Sequence, residues 1–267
     1  MPSYVIVGAS RGLGFAWLRF LSQDPKNIVI GLVRDVEKTN ASLAAENITN
    51  VHILHGDMVD RKSLEAAATS AADILPNGLD VIIINGVFVT PEAEKLSISE
   101  LAAQPELLSK DMHTSLDVNL IGSINSINSF LPLIQKGAAK KIVVISTGMA
   151  DIDLPVSFDI TSGVTYAVIK AALNMVVSKY AAELKSQNIK VLALSPGLVA
   201  TQMNTPSTED MEFFGKMVAS FKKGYPDWRG TPLTPAESVG HMNTVIENLT
   251  MADTGSFLSH WGNKAWL

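Results

Sequence analysis

Short runs of branched aliphatic residues recur along the chain. Each is followed by a stretch whose apolar residues return every three or four positions. The first run, Tyr4-Val5-Ile6-Val7, precedes Phe15-Ala16-Trp17-Leu18-Arg19-Phe20-Leu21. Continuous aliphatic runs suit strands buried on both faces, and three-four spacing suits helices packed over them. On this pattern strands are predicted at residues 4–7, 28–33, 51–54, 81–84, 141–145, 191–194 and 256–258. Helices are predicted at 15–21, from near Asp60, at 111–134, from about Tyr166 to Leu184, and at 236–249. In 111–134 the residues Leu116, Leu120, Ile124, Ile127, Leu131 and Ile134 make one apolar face, with Pro132 near its end. Residues 90–110 are polar and hold Pro91 and Pro105, which reads as a loop with one short helix. Strand and helix alternate at least six times. That predicts an α/β protein with a doubly wound parallel sheet of about seven strands and helices on both faces.

Composition supports this picture. A chain of 267 residues is ordinary for a single α/β domain, and 47% apolar residues can fill a core on both sides of a sheet. The net charge is -5 with no basic block, which argues against nucleic acid as a partner. Cysteine is absent, which rules out a disulfide framework, a thiolate metal site and a cysteine nucleophile. No secretory leader and no membrane-length apolar run is apparent, so the expectation is a cytoplasmic protein without a membrane partner. His52, His55, His113, His241 and His260 show no metal-ligand spacing, and no metal is expected. A hydrolase elbow of the Gly-x-Ser-x-Gly type does not occur.

Two stretches carry candidate chemistry. Tyr166 and Lys170 are four apart, so on a helix they share one face. An ammonium beside a phenol favours the phenolate and draws its pKa down, which would let Tyr166 pass a proton near neutral pH. The second stretch, Gly8-Ala9-Ser10-Arg11-Gly12-Leu13-Gly14, lies between the first strand and the first helix. Glycines there allow a tight turn and close approach to a pyrophosphate, whose charge the helix N-terminus favours. The spacing Gly-x-x-x-Gly-x-Gly is a variant of the dinucleotide fingerprint. Arg34 ends the second strand, where an arginine can accept a 2′-phosphate, although Asp35 follows at once. Asp57, at the end of the third strand, is placed either to accept from an adenine amine or to cap the next helix.

Other segments are less specific. The Tyr166 helix is apolar on more than one face (Val168, Ala171, Ala172, Met175, Val176, Val177), which suits a core or a subunit contact. Between Pro206 and Pro235 the aromatic and methionine residues Met211, Phe213, Phe214, Met217, Phe221, Tyr225 and Trp228 cluster among charges. This stretch, 206–235, is either a lid over an apolar ligand or a helix pair of the core.

Together with Asn119 and Pro196-Gly197-x-x-x-Thr201, these motifs make the chain resemble the short-chain dehydrogenases/reductases from Val5 onward. The end, Gly255-Ser256-Phe257 to His260-Trp261-Gly262 and Trp266, is similar to the small carbonyl reductases of that family. The resemblance implies a Rossmann-like single domain over residues 1–267, NADP(H) as cofactor, and a small-molecule carbonyl or alcohol as substrate. It implies that Gly8, Gly12, Leu13 and Gly14 wrap the pyrophosphate while Ser10, Arg11 and Arg34 meet the 2′-phosphate. Asp57 and Met58 would hold adenine, and Asn85 and Gly86 would flank the adenosine ribose. Tyr166 would give its proton to the carbonyl, Lys170 would bond the nicotinamide ribose, and Asn119 would hold a water behind it. Pro196, Gly197, Val199 and Thr201 would position the carboxamide. Thr147 stands where the family usually has the serine that polarises the carbonyl, with Ser146 as the alternative. The stretch after strand four reads Ile84-Asn85-Gly86-Val87 where the family carries Asn-Asn-Ala-Gly. Residues 151–161 are a surplus, expected as a substrate-side loop. A homodimer or homotetramer is implied as well. A non-redox isomerase or cyclase, or a silent NADP-binding protein, would use the same fold.

Overall fold

The computed structural model describes residues 1–201 and 207–267. β1 (Ser3–Val7) leads through the glycine turn into α1 (Gly12–Leu21), followed by β2 (Ile28–Val33) and α2 (Val36–Ala45). β3 (Val51–His55) and α3 (Arg61–Ile74) precede β4 (Val81–Ile84). Three helices come next: α4 (Pro91–Glu94), α5 (Ile98–Ala102) and α6 (Pro105–Ser115). A π-helical turn at Leu116–Ile121 joins α6 to α7 (Gly122–Lys136), and β5 (Lys141–Ile145) follows. Then come α8 (Asp153–Phe158), α9 (Val164–Leu184) and β6 (Lys190–Ser195). The chain ends with α10 (Thr208–Gly224), α11 (Pro235–Glu247) and β7 (Phe257–Ser259).

The sheet runs β3-β2-β1-β4-β5-β6-β7, and every neighbouring pair is parallel. This is the doubly wound parallel α/β sheet that the alternation predicted, and the Rossmann-like single domain that the resemblance implied. Strand order reverses between β1 and β4, so a crevice opens at their carboxyl ends, where ligands of such sheets bind. Side chains alternate across the sheet and divide the core in two. Val5, Val7, Ile82 and Ile84 face α3, α7 and α9. Ile6, Ile83, Val143 and Ile145 face α1 and α11.

Two expectations fail here. Residues 90–110 hold three helices, not a loop with one. Pro91 and Pro105 sit at the first turns of α4 and α6, where the missing N–H costs nothing, and a Ser97–Glu100 capping box starts α5. Residues 111–134 are not one continuous helix either. The π turn adds a residue and rotates the apolar face. Leu116 becomes exposed, while Phe130 and Leu133 are buried in place of the half-buried Leu131. The surplus at 151–161 is partly ordered as α8.

Phe130 is 0% exposed and belongs to the α3–α7–α9 side of the core. Phe130→Ala should lower the unfolding free energy by ~3–5 kcal/mol. Urea unfolding followed by circular dichroism checks this, and a loss below about 1 kcal/mol would mean the site collapses around the smaller side chain.

Candidate active site

Lys170 is 2% exposed, and its Nζ donates to the Ile145 carbonyl at 2.7 Å. Burial lowers its pKa to about 8. Tyr166, one turn earlier on α9, has the Lys170 Nζ 6.0 Å from its ring centroid. Its pKa is pushed up to about 12, first by burial; the nearby Thr147 hydroxyl pulls it down and the Glu94 charge adds to the rise. The expectation that Lys170 draws the phenol down therefore does not hold in this structure. The ammonium is turned to the Ile145 carbonyl, and desolvation of the phenolate outweighs its field. At neutral pH the pair is a neutral phenol near an ammonium.

β5 ends at Ile145, and the next two residues point opposite ways. Ser146 is buried and its Oγ donates to Asn174 Oδ1 at 2.7 Å. Thr147 lies close enough to Tyr166 to pull its pKa down, and its Oγ1 accepts from the Met149 N–H at 3.2 Å. The structure thus puts Thr147 with Tyr166 and turns Ser146 into α9. Asn119 sits in the π turn, fully buried. Its Oδ1 accepts from the Phe88 N–H at 2.7 Å and its Nδ2 donates to the Phe88 carbonyl at 2.8 Å. The side chain is thereby committed to the segment after β4. A water there would have to use the backbone carbonyl of Asn119, which already accepts from Ser123 Oγ at 2.7 Å.

The glycine turn closes on the end of β4. Gly8 has φ +79, and a Cβ on it would lie 2.5 Å from the Gly86 Cα. Asn85 Nδ2 donates to the Gly8 carbonyl at 3.0 Å, so Asn85 braces the turn from beneath, a use not expected of it. Gly14 has no room for a side chain, since a Cβ would fall on the Gly8 carbonyl oxygen. Met58 is buried, with its sulfur packed directly against Gly86. No side chain caps α1, and its first turn holds no acidic residue. Its leading N–H groups, from Gly12, Leu13 and Gly14, are therefore available to an anion. Gly12, at φ +55, faces the Thr201 side chain, where a Cβ would still clear it by 3.6 Å.

Ser10, Arg11 and Arg34 are exposed at this rim. Among the described residues neither arginine forms an ion pair. Asp35 accepts from the Lys38 N–H at 2.9 Å and so caps α2. Asp60, not Asp57, caps α3, and one oxygen of Asp57 accepts from the Val59 N–H at 3.2 Å. This donor set, with an open helix N-terminus, a glycine turn and two arginines, fits a phosphorylated dinucleotide.

Pro196, Gly197 and Val199 lie beyond β6 across the crevice. The Pro196 carbonyl accepts from Ser238 Oγ at 2.7 Å, and Val199 pairs with Leu233. Gly197, at φ +79, lies against the His260 ring. His260 is 2% exposed and kept neutral, its pKa lowered to about 4 by burial and by His241. The histidines gave no signal in the sequence, yet this one supports the Gly197 turn. Beyond it a third apolar cluster forms around Leu154, Phe221 and Trp266. Trp266 Nε1 donates to Asp151 Oδ2 at 3.1 Å, and its N–H donates to the Tyr225 hydroxyl at 3.2 Å. The 206–235 stretch is thus mostly one helix, α10, seated on this separate cluster; Pro206 lies outside the described residues. Among the described residues no three His, Cys, Asp or Glu side chains gather as a metal site would need.

The family described as short chain dehydrogenase matches residues 3–212. The short-chain dehydrogenase/reductase AacuF of Aspergillus aculeatus is 42% identical over 100% of both chains. The short chain dehydrogenase virK of Hypocrea virens is 39% identical, also over 100% of both. An NADPH-bound carbonyl reductase from chicken fatty liver superposes with a TM-score of 0.77 at 26% identity, covering 98% of each chain.

The Lys170 ammonium is held inside at a cost of a few kcal/mol, on the order of 3–4, since its pKa falls from 10.5 to about 8. Its folded pKa lies below the unfolded value, so between about 8 and 10.5 the unfolded chain binds the extra proton and stability rises with pH. Lys170→Met should be more stable than the parent at pH 7, and the gap should narrow as pH rises through about 8. Thermal unfolding of both proteins from pH 6.5 to 10 (roughly the span of the two lysine states) tests this; a constant gap would place the charge elsewhere.

Proposed function

The chain belongs to the short-chain dehydrogenases/reductases, and from that premise we propose that it is an NADPH-dependent reductase of a carbonyl on a bulky, largely apolar small molecule, or catalyses the reverse alcohol oxidation. One observation carries the reading. Tyr166, Thr147 and Lys170 converge at the end of β5, on the same edge of the sheet as the open glycine turn after β1. NADPH, when bound, supplies the hydride. The chain's own residues do the rest. The glycine turn and the α1 N–H groups receive the pyrophosphate. Arg34 and Arg11 meet the 2′-phosphate, while Asp35 beside them has one oxygen engaged in capping α2.

Thr147 and Tyr166 donate to the substrate oxygen. The phenol is the proton source: at neutral pH it is fully protonated, as a donor must be. Lys170 is the nearby cation that stabilises the phenolate left behind. Pro196, Gly197, Val199 and Thr201 form the carboxamide side of the crevice, with Asn119 anchoring the segment after β4. Stretch 206–235 acts as the substrate lid. Support comes from α10 lying on its own aromatic cluster, where Phe158 contacts Phe221 and Tyr225, outside the two main cores. The apolar character of that cluster is the basis for a bulky apolar substrate. Leu116, Ile121, Val168 and Met175 are exposed on the π turn and α9, which pack together; this strip is the face we assign to a homodimer or homotetramer.

Tyr166→Phe should lower carbonyl-dependent NADPH oxidation by at least about 10²-fold while NADPH still binds. Absorbance of the cofactor with a ketone panel, beside a fluorescence binding titration, measures both, and near-parent turnover would remove Tyr166 as donor. Product formed at unchanged cofactor absorbance would point instead to isomerisation. Arg34→Asp should bring NADPH affinity down toward that for NADH, by about 10- to 100-fold, the worth of a charge-assisted pair. Equal affinities in the parent protein would defeat the arginine argument.

A further inference from the structure

Tyr166 borders a cavity of about 10 Å³, the least that holds one water. Glu94, Asp111, Ser115 and Thr165 line it with Tyr166. The lining comes from α4, α6, α9 and the segments before α4 and before α9, and it includes the apolar Val89 and Ala93 beside the polar groups. Thr165 Oγ1 is buried, on a residue 3% exposed, and has no hydrogen-bond partner among the described residues. Buried hydroxyls find partners, and a cavity with two carboxyls and a hydroxyl gives a water the two to four it needs. Asp111 is 4% exposed, and among the described residues its one side-chain hydrogen bond is a long one, accepted from Ser115 Oγ at 3.5 Å. Glu94 is exposed to solvent and also lines the cavity, so it connects the two.

Resting on the reductase reading above, we propose that this cavity is a one-water site through which Glu94 returns a proton to the Tyr166 phenolate, with Thr165 holding the water. Tyr166 gives its proton to the carbonyl oxygen and is left as phenolate. The phenolate takes a proton from the cavity water, the water takes one from the Glu94 carboxyl, and the carboxylate regains one from solvent. Glu94 and Thr165 are positioning residues, acting through Tyr166. Burial raises the Glu94 pKa, opposed by Lys95 and aided by Asp210, which brings the carboxyl closer to carrying a proton at working pH. The charged groups around the path are few. Asp111 faces the cavity from α6, and Lys170 lies below Tyr166 on α9. Lys95 beside Glu94 is held by Asp210 at 2.8 Å and Glu209 at 3.4 Å, both of α10.

Two measurements decide the matter. A high-resolution crystal structure of the protein should show one ordered water within hydrogen-bond distance of Thr165 Oγ1 and of a Glu94 or Asp111 oxygen, and Thr165→Val should lose it. A site filled by a side chain, or no ordered water, overturns the proposal. In the pH dependence of carbonyl reduction, Glu94→Gln removes a negative charge near the phenol. The high-pH limb should then move down by about one pH unit, because the Glu94 charge raises the Tyr166 pKa and one charge has an effect of that order at an effective dielectric of about 20. In Glu94→Gln and in Thr165→Val, kcat should fall about 10-fold with KM little changed, since proton supply and not substrate binding is affected. An unmoved limb with parent kcat overturns it. If the protein reduces no carbonyl with NADPH, the reductase reading fails by itself, and the crystal measurement still decides the water site.

Discussion

A buried ammonium with one carbonyl to aim at sets the geometry of the whole site. Lys170 cannot be solvated where it lies, so its bond to the Ile145 carbonyl compensates an otherwise unpaired charge. That bond fixes the rotation of α9 against the end of β5. Once it is fixed, Tyr166, one helical turn back, must lie over the residues that follow Ile145. Strand alternation then decides which of those it meets: Thr147 faces the phenol and Ser146 is spent on Asn174. A single constraint at Lys170 thus places three polar side chains.

The dinucleotide half depends on close approach rather than on charge. β1 and β4 end side by side, and their turns touch at Gly8 and Gly86 with no space for a side chain between them. Asn85 ties the two turns by bonding the Gly8 carbonyl. The departure from the family's Asn-Asn-Ala-Gly is tolerated because the asparagine that remains makes the bracing bond. Beneath it, Met58 fills the volume that a larger residue at position 86 would claim. The uncapped α1 N-terminus is the complement of this arrangement: a rigid turn that leaves its N–H groups facing the crevice.

Much of the fold was legible because buried parallel strands are continuous aliphatic runs, and all seven were found within a residue or two. Tyr166, Lys170 and the glycine turn were legible for a similar reason, since spacing of four on a helix and a glycine-rich strand-to-helix turn are local. The misses are not local. Pro91 and Pro105 read as loop residues until they are seen to occupy first turns of helices. The π turn has no composition of its own, and it alone decides that Asn119 points at Phe88 and that Leu116 faces outward. His260 reaches Gly197, and Glu94 reaches the Tyr166 neighbourhood, only through packing of elements far apart in the chain. The direction of the Tyr166 shift was misread because a sequence shows a neighbouring charge but not the burial that opposes it.

That opposition has a consequence for the direction of the proposed reaction. A phenol near 12 beside an ammonium near 8 is a pair in which, at neutral pH, both groups hold their protons. Reduction begins from that state, since it consumes a proton at the substrate oxygen. Alcohol oxidation must begin from the phenolate, which burial disfavours by the same desolvation that raises the phenol. Burial therefore keeps the resting Tyr166 in the protonated form that reduction uses, while it makes the phenol a weaker acid that gives its proton only to an oxygen gaining negative charge. A site tuned for donation needs a proton inlet as much as it needs the donor, and the polar residues packed around Tyr166 are where such an inlet has to run.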